Sequence, residues 1–189
     1  MEKIRLVEAY LADNQDALDL HFIHDLAAFP FKWNSAVMDH LYLFAKTSTG
    51  SYIGYWSPDK LLDSTSSEEI PLVWIDHEGV PLSVFAKSVD EFLALLYYDT
   101  GLIYEILIDM YFFKDDPEGY ENPQTKFTAK YLKKYLKTLD EGNTPYSKKF
   151  RTWLKKNMGI QLFENPLALI SETINHYPNF EQWVAFTNK

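Results

Sequence analysis

The 189-residue chain carries 18 Lys and Arg against 27 Asp and Glu, so its formal net charge is −9, and it contains no cysteine. The absence of cysteine excludes disulfides, thiolate nucleophiles and cysteine-based zinc or iron–sulfur sites. A chain of this length can fold as one compact domain that buries roughly 70% of its unfolded surface. We therefore predict a single domain over residues 1–189, with a helical N-terminal segment and a helical C-terminal half.

Helical periodicity marks the start of the chain. Apolar spacing predicts a short amphipathic helix over 2–12 and, before Pro30, a second helix over 15–29. The aromatic residues of 31–39 suit either a loop packed on the core or a helical turn. The N-terminus contains acids from its second residue onward, and the chain has no long uncharged apolar run. We therefore predict that the chain has no signal peptide and no membrane span. With the lack of cysteine, this predicts a cytoplasmic protein.

Two hairpins follow. In each, a run rich in apolar and aromatic residues is broken by a glycine-containing turn and then resumes. The runs are 40–45 and 51–56 around Thr47-Ser48-Thr49-Gly50, and 72–76 and 82–86 around His77-Glu78-Gly79, with a polar loop over 62–69 between the hairpins. We predict an α+β fold in which a central, mostly antiparallel sheet of at least four strands is surrounded by helices.

Helices dominate the rest of the chain. Ser88 lies three residues before Glu91, which is the spacing of a capping box at a helix start. Further helices are predicted over 102–113, 125–139, 147–158 and 166–175, with a loop over 114–123 and a docked apolar tail after Pro178. Gly159 suits the position that follows a helix C-terminus.

Charge is segregated along the sequence. Residues 126–156 hold ten Lys or Arg against two acids, a net charge of +8, and the rest of the chain holds eight cations against 25 acids, a net charge of −17. The acidic part favours a basic protein partner and repels nucleic acid. The lysines of 126–137 suit phosphate contacts, but the interleaved Tyr131 and Tyr135 fall on the apolar face of the predicted helix. We predict a solvated lysine face and no nucleic-acid partner.

Two groups of residues are candidates for chemistry. His21 and His24 lie one turn apart in the predicted helix, a spacing that a metal site can use. The segment lacks the HExxH order and the chain lacks cysteine, so we predict no metal site.

The second group is Asp76, His77 and Glu78, which place two acids and a base at the second hairpin turn. Adjacent side chains on a turn diverge, and no nucleophile signature accompanies them. The G-x-S-x-G, Walker and G-x-G-x-x-G motifs are absent. We predict no catalytic residue and no cofactor. The alternative is a small hydrolase or metal-dependent enzyme that uses either this turn or the two histidines.

The first hairpin offers aromatic residues for a partner surface. Alternation along a strand places Tyr52, Gly54 and Trp56 opposite Ile53 and Tyr55, so one set faces a groove or solvent unless helices cover both faces. Together with the second turn, this predicts a partner-binding surface formed by Tyr52, Trp56, Asp76, His77 and Glu78.

A family resemblance lies in the two hairpins. The segments FAKTSTGSYIGYW (44–56) and PLVWIDHEGVPLSVFAKSVDEFLALL (71–96) resemble the SUKH superfamily, which joins bacterial toxin-immunity proteins with the fungal cell-wall-synthesis regulator. The similar features are a glycine-turned aromatic strand pair, a Pro-initiated strand that ends in an acid-Gly turn, and the helix that follows. A later segment, FRTWLKKNMGIQLFENPLALI (150–170), is similar to the C-terminal segment of some bacterial members.

The resemblance implies an α+β fold and a binding protein without catalytic residues. It also implies a cytosolic immunity protein that neutralises a cognate toxin, such as a nuclease or deaminase with a basic surface, in a stoichiometric complex. The acidic part of the chain suits such a partner through electrostatic steering.

Overall fold

The computed structural model describes residues 2–23, 31, 33–59, 70–141, 145–160 and 163–189. The chain divides into two compact units. We call Met1–Asp19 with Leu93–Leu169 the helical unit, and Leu20–Phe92 with Ile170–Lys189 the sheet unit. The single domain over 1–189 stays a prediction. Among the described helices, none combines the length and the apolar composition needed to cross a membrane.

The sheet unit is built on an antiparallel sheet, whose described strands follow the order β1-β2-β3-β4-β5. They are β1 (His21–Phe22), β2 (Leu41–Lys46), β3 (Tyr52–Trp56), β4 (Leu72–Ile75) and β5 (Pro81–Ala86). The predicted α+β fold, with two consecutive hairpins in an antiparallel sheet, is therefore confirmed. The predicted loop over 62–69 lies outside the described residues.

Strand β1 replaces part of the helix predicted over 15–29. His21 and Phe22 pair with Lys46 and Ala45 of β2, and the Ile23 N–H donates to the Phe44 carbonyl at 2.8 Å. This pairing satisfies the backbone groups of the segment through a strand that lies about twenty residues later. The helical spacing of the apolar residues was outweighed by a non-local contact. The remainder of that predicted helix, from residue 24, is not described.

Two short helices cover one face of the sheet. They are α2 (Ser35–Met38) and α9 (Phe180–Thr187), which is the docked tail predicted after Pro178. Trp56 of β3 is fully buried on this face, with ring centroids 5.1 Å from Phe180 and 5.4 Å from Trp183. The face also contains Val73 and Val84.

Strand alternation directs Phe85 away from Val84, and Phe85 packs edge to face on Phe92 at 5.8 Å. Phe44 of β2 contacts the same Phe92 ring at 5.9 Å and the Tyr55 ring at 5.0 Å. All four of these aromatic side chains are buried, so both sides of the sheet carry an apolar core.

Helix α3 (Val89–Leu96) starts at the predicted capping motif. The Ser88 hydroxyl accepts from the Glu91 N–H at 3.3 Å. The Glu91 carboxylate reaches back one residue further than in the standard capping box, because it accepts from the Lys87 N–H at 2.8 Å. Glu91 also lies 3.5 Å from the Thr173 hydroxyl of α8 (Pro166–His176), so the cap ties the helix start to a neighbouring helix of the sheet unit.

The helical unit contains α1 (Glu2–Asp13), α4 (Thr100–Asp115), α5 (Pro123–Lys126), α6 (Ala129–Glu141) and α7 (Pro145–Met158). Tyr10 of α1 stacks on Trp153 of α7 with centroids 4.4 Å apart. Gly159 has a φ of +62°, as predicted for the residue after a helix C-terminus. The helices predicted over 2–12, 102–113, 147–158 and 166–175 are confirmed, and each end lies within two residues of the predicted one.

The helix predicted over 125–139 is interrupted, because α5 and α6 are separate elements. Phe127 ends α5 with a non-helical backbone and a buried side chain. The Thr128 hydroxyl then accepts from the Tyr131 N–H at 3.3 Å and caps the start of α6. An apolar pattern of helical period does not report such a break, because the buried face continues through it.

A cluster around Lys126 joins α4 to α5 and α6. The Lys126 ammonium lies 2.9 Å from a Glu105 oxygen and 2.6 Å from an Asp109 oxygen, and the Tyr131 hydroxyl donates to Glu105 at 2.8 Å. Burial lowers the pKa of Lys126, but its hydrogen bonds to Asp109 and Glu105 outweigh burial and raise that pKa above its usual value. Burial and the hydrogen bond to Glu105 raise the pKa of Tyr131 to about 12, so its hydroxyl stays a donor.

Asp99 begins α4 in a backbone conformation that only glycine adopts without strain, with φ +89° and ψ 168°. Its carboxylate accepts from the Leu102 N–H and from the Tyr135 hydroxyl of α6, both at 3.1 Å. Gly101 leaves room for this contact, because a Cβ there would lie 3.1 Å from the Asp99 oxygen and 3.3 Å from the Tyr135 hydroxyl. Burial raises the pKa of Asp99 against the effect of these hydrogen bonds.

The substitution Ser88→Ala tests the capping motif. It removes the acceptor of the Glu91 N–H, so we expect the free energy of unfolding to fall by about 1 kcal/mol. Urea denaturation at pH 7 measures the change. Ser35→Ala, at an exposed position in α2, is the control and should change stability by less than about 0.5 kcal/mol. Equal effects of the two substitutions would show that the cap contributes nothing specific.

The substitution Asp99→Asn tests the buried carboxylate. Asparagine keeps an oxygen acceptor for Leu102 and Tyr135 but carries no charge. Because the folded-state pKa of Asp99 is raised, the wild type loses stability as pH rises from the unfolded-state pKa, about 3.9, through the folded-state pKa. Asp99→Asn should therefore be more stable than the wild type at pH 7, and the difference should shrink towards pH 4.

The comparison for that test is Tyr135→Phe, which removes the donor to the Asp99 carboxylate and should destabilise the protein at pH 7. Urea denaturation at both pH values measures all three proteins. A stability difference between Asp99→Asn and the wild type that does not change between pH 4 and pH 7 would contradict the role assigned to burial of this charge.

Candidate functional site

In the second hairpin turn, the Asp76 side chain holds the backbone of the turn in place. The Asp76 carboxylate is buried and accepts from the Glu78 N–H at 2.8 Å and from the Val80 N–H at 2.9 Å. Gly79 has a φ of +85°, and a Cβ there would lie 2.4 Å from the Phe31 ring. His77 and Glu78 are exposed. Only these two residues of the turn therefore present side chains to solvent, and Asp76 fixes the backbone between the strands.

The aromatic residues predicted for the partner surface pack inside the sheet unit. Trp56 has no exposed area, because α9 covers its face of the sheet, so it does not lie on a surface open to a partner. Tyr52 is half-buried and packs edge to face on Phe31 at 5.6 Å. Strand alternation correctly placed Tyr52 and Trp56 on one face, but it carries no information on the helix that covers that face.

The histidines predicted as alternative metal ligands are not brought together in the described structure. His21 is exposed on β1, and His24 lies outside the described residues. Across the described ranges, no group of three or more His, Cys, Asp and Glu side chains has the geometry to hold a metal ion. The three residues of the Asp76-His77-Glu78 turn also do not converge, because Asp76 points into the turn while the other two are exposed.

A groove of about 320 Å³ in the sheet unit is lined by β5 and by residues that connect α8 to α9. Its polar groups are largely committed within the protein. The Ser83 hydroxyl donates to the Val84 carbonyl at 3.1 Å, and the Asn179 side chain accepts from the Gln182 N–H at 2.8 Å as the cap of α9. Two of the polar side chains that could orient a small ligand in this groove are therefore already engaged within the protein.

A different surface has the properties of a binding site. We define the acidic loop as residues 112–121, from the last turn of α4 to the residue before the cap of α5. The Phe112 and Tyr120 rings stack with centroids 5.1 Å apart and an interplanar angle of 9°, and they are 40% and 44% exposed. Most large apolar side chains among the described residues are buried, so a stacked pair in solvent is an unusual arrangement here.

Acids surround this aromatic pair. Asp115, Asp116, Glu118 and Glu121 are exposed, and Lys114 is the one cation in the loop. Asp115 is the last residue of α4 and Asp116 is its C-cap, where a negative charge opposes the helix dipole at a cost of about 0.3–1 kcal/mol each. Helix stability therefore does not explain the acids at this position.

The loop has a fixed backbone. The Asp116 carboxylate accepts from the Gly119 N–H at 2.9 Å, and a Cβ at position 119 would lie 2.2 Å from the other Asp116 oxygen. Asn122 then caps α5 by accepting from the Gln124 N–H at 2.9 Å. The Lys126 cluster holds α5 against α4, so both ends of the loop are anchored.

Sequence reasoning identified residues 114–123 as a loop but did not identify them as a surface. The signal was present in the segment FFKDDPEGYE, which combines four acids, three aromatic residues, a proline and a glycine. What the sequence does not show is that Phe112, eight residues before Tyr120, meets its ring outside the core.

Comparison of the chain with known protein families, with curated proteins and with solved structures finds no match. The resemblance to the SUKH superfamily therefore stays a prediction.

Proposed function

We propose that this chain is a non-catalytic protein-binding protein whose acidic loop docks on a basic surface of a protein partner. The observation that carries the proposal is the exposed, stacked pair of Phe112 and Tyr120 among four acids. Exposed aromatic residues are frequent anchors of protein interfaces because they bury a large area and have few rotatable bonds.

The ordered state of the loop favours affinity. Association costs free energy when side chains and loops must be ordered. In the acidic loop the two rings already stack, and the Asp116 and Asn122 side chains already fix the backbone. Ordering of the acidic loop then costs little free energy on association, so a modest contact area can give specific binding.

The charge of the loop selects the partner. Four acids against one cation attract a basic surface and repel an acidic one. An Arg or Lys side chain of the partner can also lie over the exposed faces of Phe112 or Tyr120, which gives a cation–π contact in addition to ion pairs. A basic protein is therefore the partner class that fits both features of the loop.

The SUKH resemblance suggests a narrower identity for the partner. It favours a toxin domain with a basic surface, and in this proposal the chain neutralises that toxin by forming a stoichiometric complex in the cytoplasm. The net charge of −17 outside residues 126–156 supports attraction to such a domain at long range. Neutralisation by binding requires no catalytic group in this chain.

The double substitution Phe112→Ala with Tyr120→Ala tests the proposal. Affinity purification from the native host with the wild-type protein should recover a basic protein, and calorimetry with that purified protein should show one-to-one binding. Loss of both anchors should raise the dissociation constant by at least about tenfold, because a single interface anchor contributes about 2 kcal/mol. Raising the salt concentration should also weaken binding.

Two control variants define the surface. Phe186→Ala removes a 75% exposed ring on α9, and His77→Ala with Glu78→Ala removes the exposed part of the second hairpin turn. Neither should change the dissociation constant by more than about twofold. If the turn variant loses binding and the loop variant keeps it, the acidic loop is not the interface. If no basic protein is recovered, the proposed function itself fails.

A further inference from the structure

The exposed side of α6 is a row of lysines that stability does not explain. Lys130, Lys133, Lys134 and Lys137 are spaced by three and four residues, so they lie on one helix face, and all are exposed. We call these four residues the lysine face. Like charges at this spacing destabilise a helix by about 0.2–0.5 kcal/mol per pair.

Most lysines of the lysine face and most acids of the acidic loop form no ion pair with a described residue. On the lysine face, Lys137 pairs with Glu141 at 3.4 Å, but Lys130, Lys133 and Lys134 form no ion pair with a described residue. In the acidic loop, the carboxylates of Asp115, Glu118 and Glu121 likewise form none among the described residues. The helical unit therefore offers two surfaces of opposite charge to an external partner.

The chemistry of the lysine face does not favour nucleic acid. Single strands bind proteins through stacking on aromatic rings as well as through phosphate contacts. The tyrosines of α6 are engaged elsewhere, because Tyr131 donates to Glu105 and Tyr135 donates to Asp99. The net charge of −9 also repels a polyanion at long range. A compact acidic protein surface with exposed aromatic rings is the better match for four lysines.

The chain itself carries such a surface. We infer that the lysine face of one copy docks on the acidic loop of a second copy. This inference uses the same loop to which the proposed function assigns a basic partner. Because the two surfaces differ, the contact is heterologous, and an open chain of copies keeps one unoccupied lysine face at one end and one unoccupied acidic loop at the other. Repulsion between molecules of charge −9 opposes the contact, so we expect association only at high protein concentration.

Self-association would regulate the proposed binding of a basic partner. A basic partner and the lysine face of another copy compete for one acidic loop, so at high concentration the free protein self-associates and the partner separates the copies. Competition of this kind lowers the apparent affinity of every basic partner by the same factor, so a strongly basic partner still binds at concentrations where a weakly basic protein does not.

Sedimentation velocity over a range of concentrations at low ionic strength tests the inference. The wild type should show an average mass that rises with concentration above the monomer mass of 22.1 kDa. Two variants, in each of which one of the two surfaces loses most of its charge, should stay monomeric. One replaces the lysine face (Lys130→Gln, Lys133→Gln, Lys134→Gln), and the other replaces the acids of the loop but keeps Asp116 (Asp115→Asn, Glu118→Gln, Glu121→Gln).

An equimolar mixture of these two variants gives the decisive result. The first variant keeps its acidic loop and the second keeps its lysine face, so the mixture should form a dimer and nothing larger. The control with equal charge loss elsewhere (Lys3→Gln, Lys46→Gln, Lys189→Gln) should assemble as the wild type does. Circular dichroism verifies that each variant is folded, and Lys→Arg at the same three α6 positions should restore assembly.

Several outcomes overturn the inference. They are a wild type that stays monomeric at every concentration, a lysine-face variant that assembles as the wild type does, and a mixture that stays monomeric. Binding of a fluorescent single-stranded oligonucleotide by the monomeric wild type, lost in the lysine-face variant, would assign that face to nucleic acid instead. The proposed function is tested separately, because the lysine-face variant should still bind the basic partner through its intact acidic loop.

Discussion

The placement of a single ammonium group between two carboxylates determines the geometry of the helical unit around the acidic loop. Lys126 contacts Glu105 and Asp109, which lie four residues apart on α4, and it ends α5. Partly buried carboxylates this close together would repel each other without the cation. The cluster therefore fixes the distance between the end of α4 and the start of α6, and the loop between them has little freedom to move. The stacked pair of Phe112 and Tyr120 lies between these anchored ends.

Features that depend on neighbouring residues could be predicted from the sequence. The two hairpins, the Ser88 cap and the turn glycine Gly79 are specified by residues within a few positions of each other, and the structure contains them. Features that depend on distant residues could not be. Strand β1 forms because β2 offers an unpaired edge, and Trp56 is buried because α9 arrives from the far end of the chain.

The candidate site shows the same division. Composition predicted a loop at 114–123, and alternation predicted an aromatic set on β3, but neither indicates which aromatic rings a later helix will cover. The predicted surface at Tyr52 and Trp56 belongs largely to the interior of the sheet unit, whereas the exposed pair of stacked rings beside acids lies in the helical unit. Charged side chains remain in solvent in nearly all folds, so charge segregation along the sequence carries information on the surface that aromatic content does not.

The acids at the end of α4 have a consequence for how this protein responds to selection. Asp115 and Asp116 stand where the helix dipole favours cations, so a mutation of Asp115 to lysine or arginine relieves an unfavourable interaction. A library screened for thermal tolerance alone would enrich such mutations and would gradually erase the acidic surface proposed to dock a partner. The acidic residues that disappear in such a screen would be those that stability alone does not maintain.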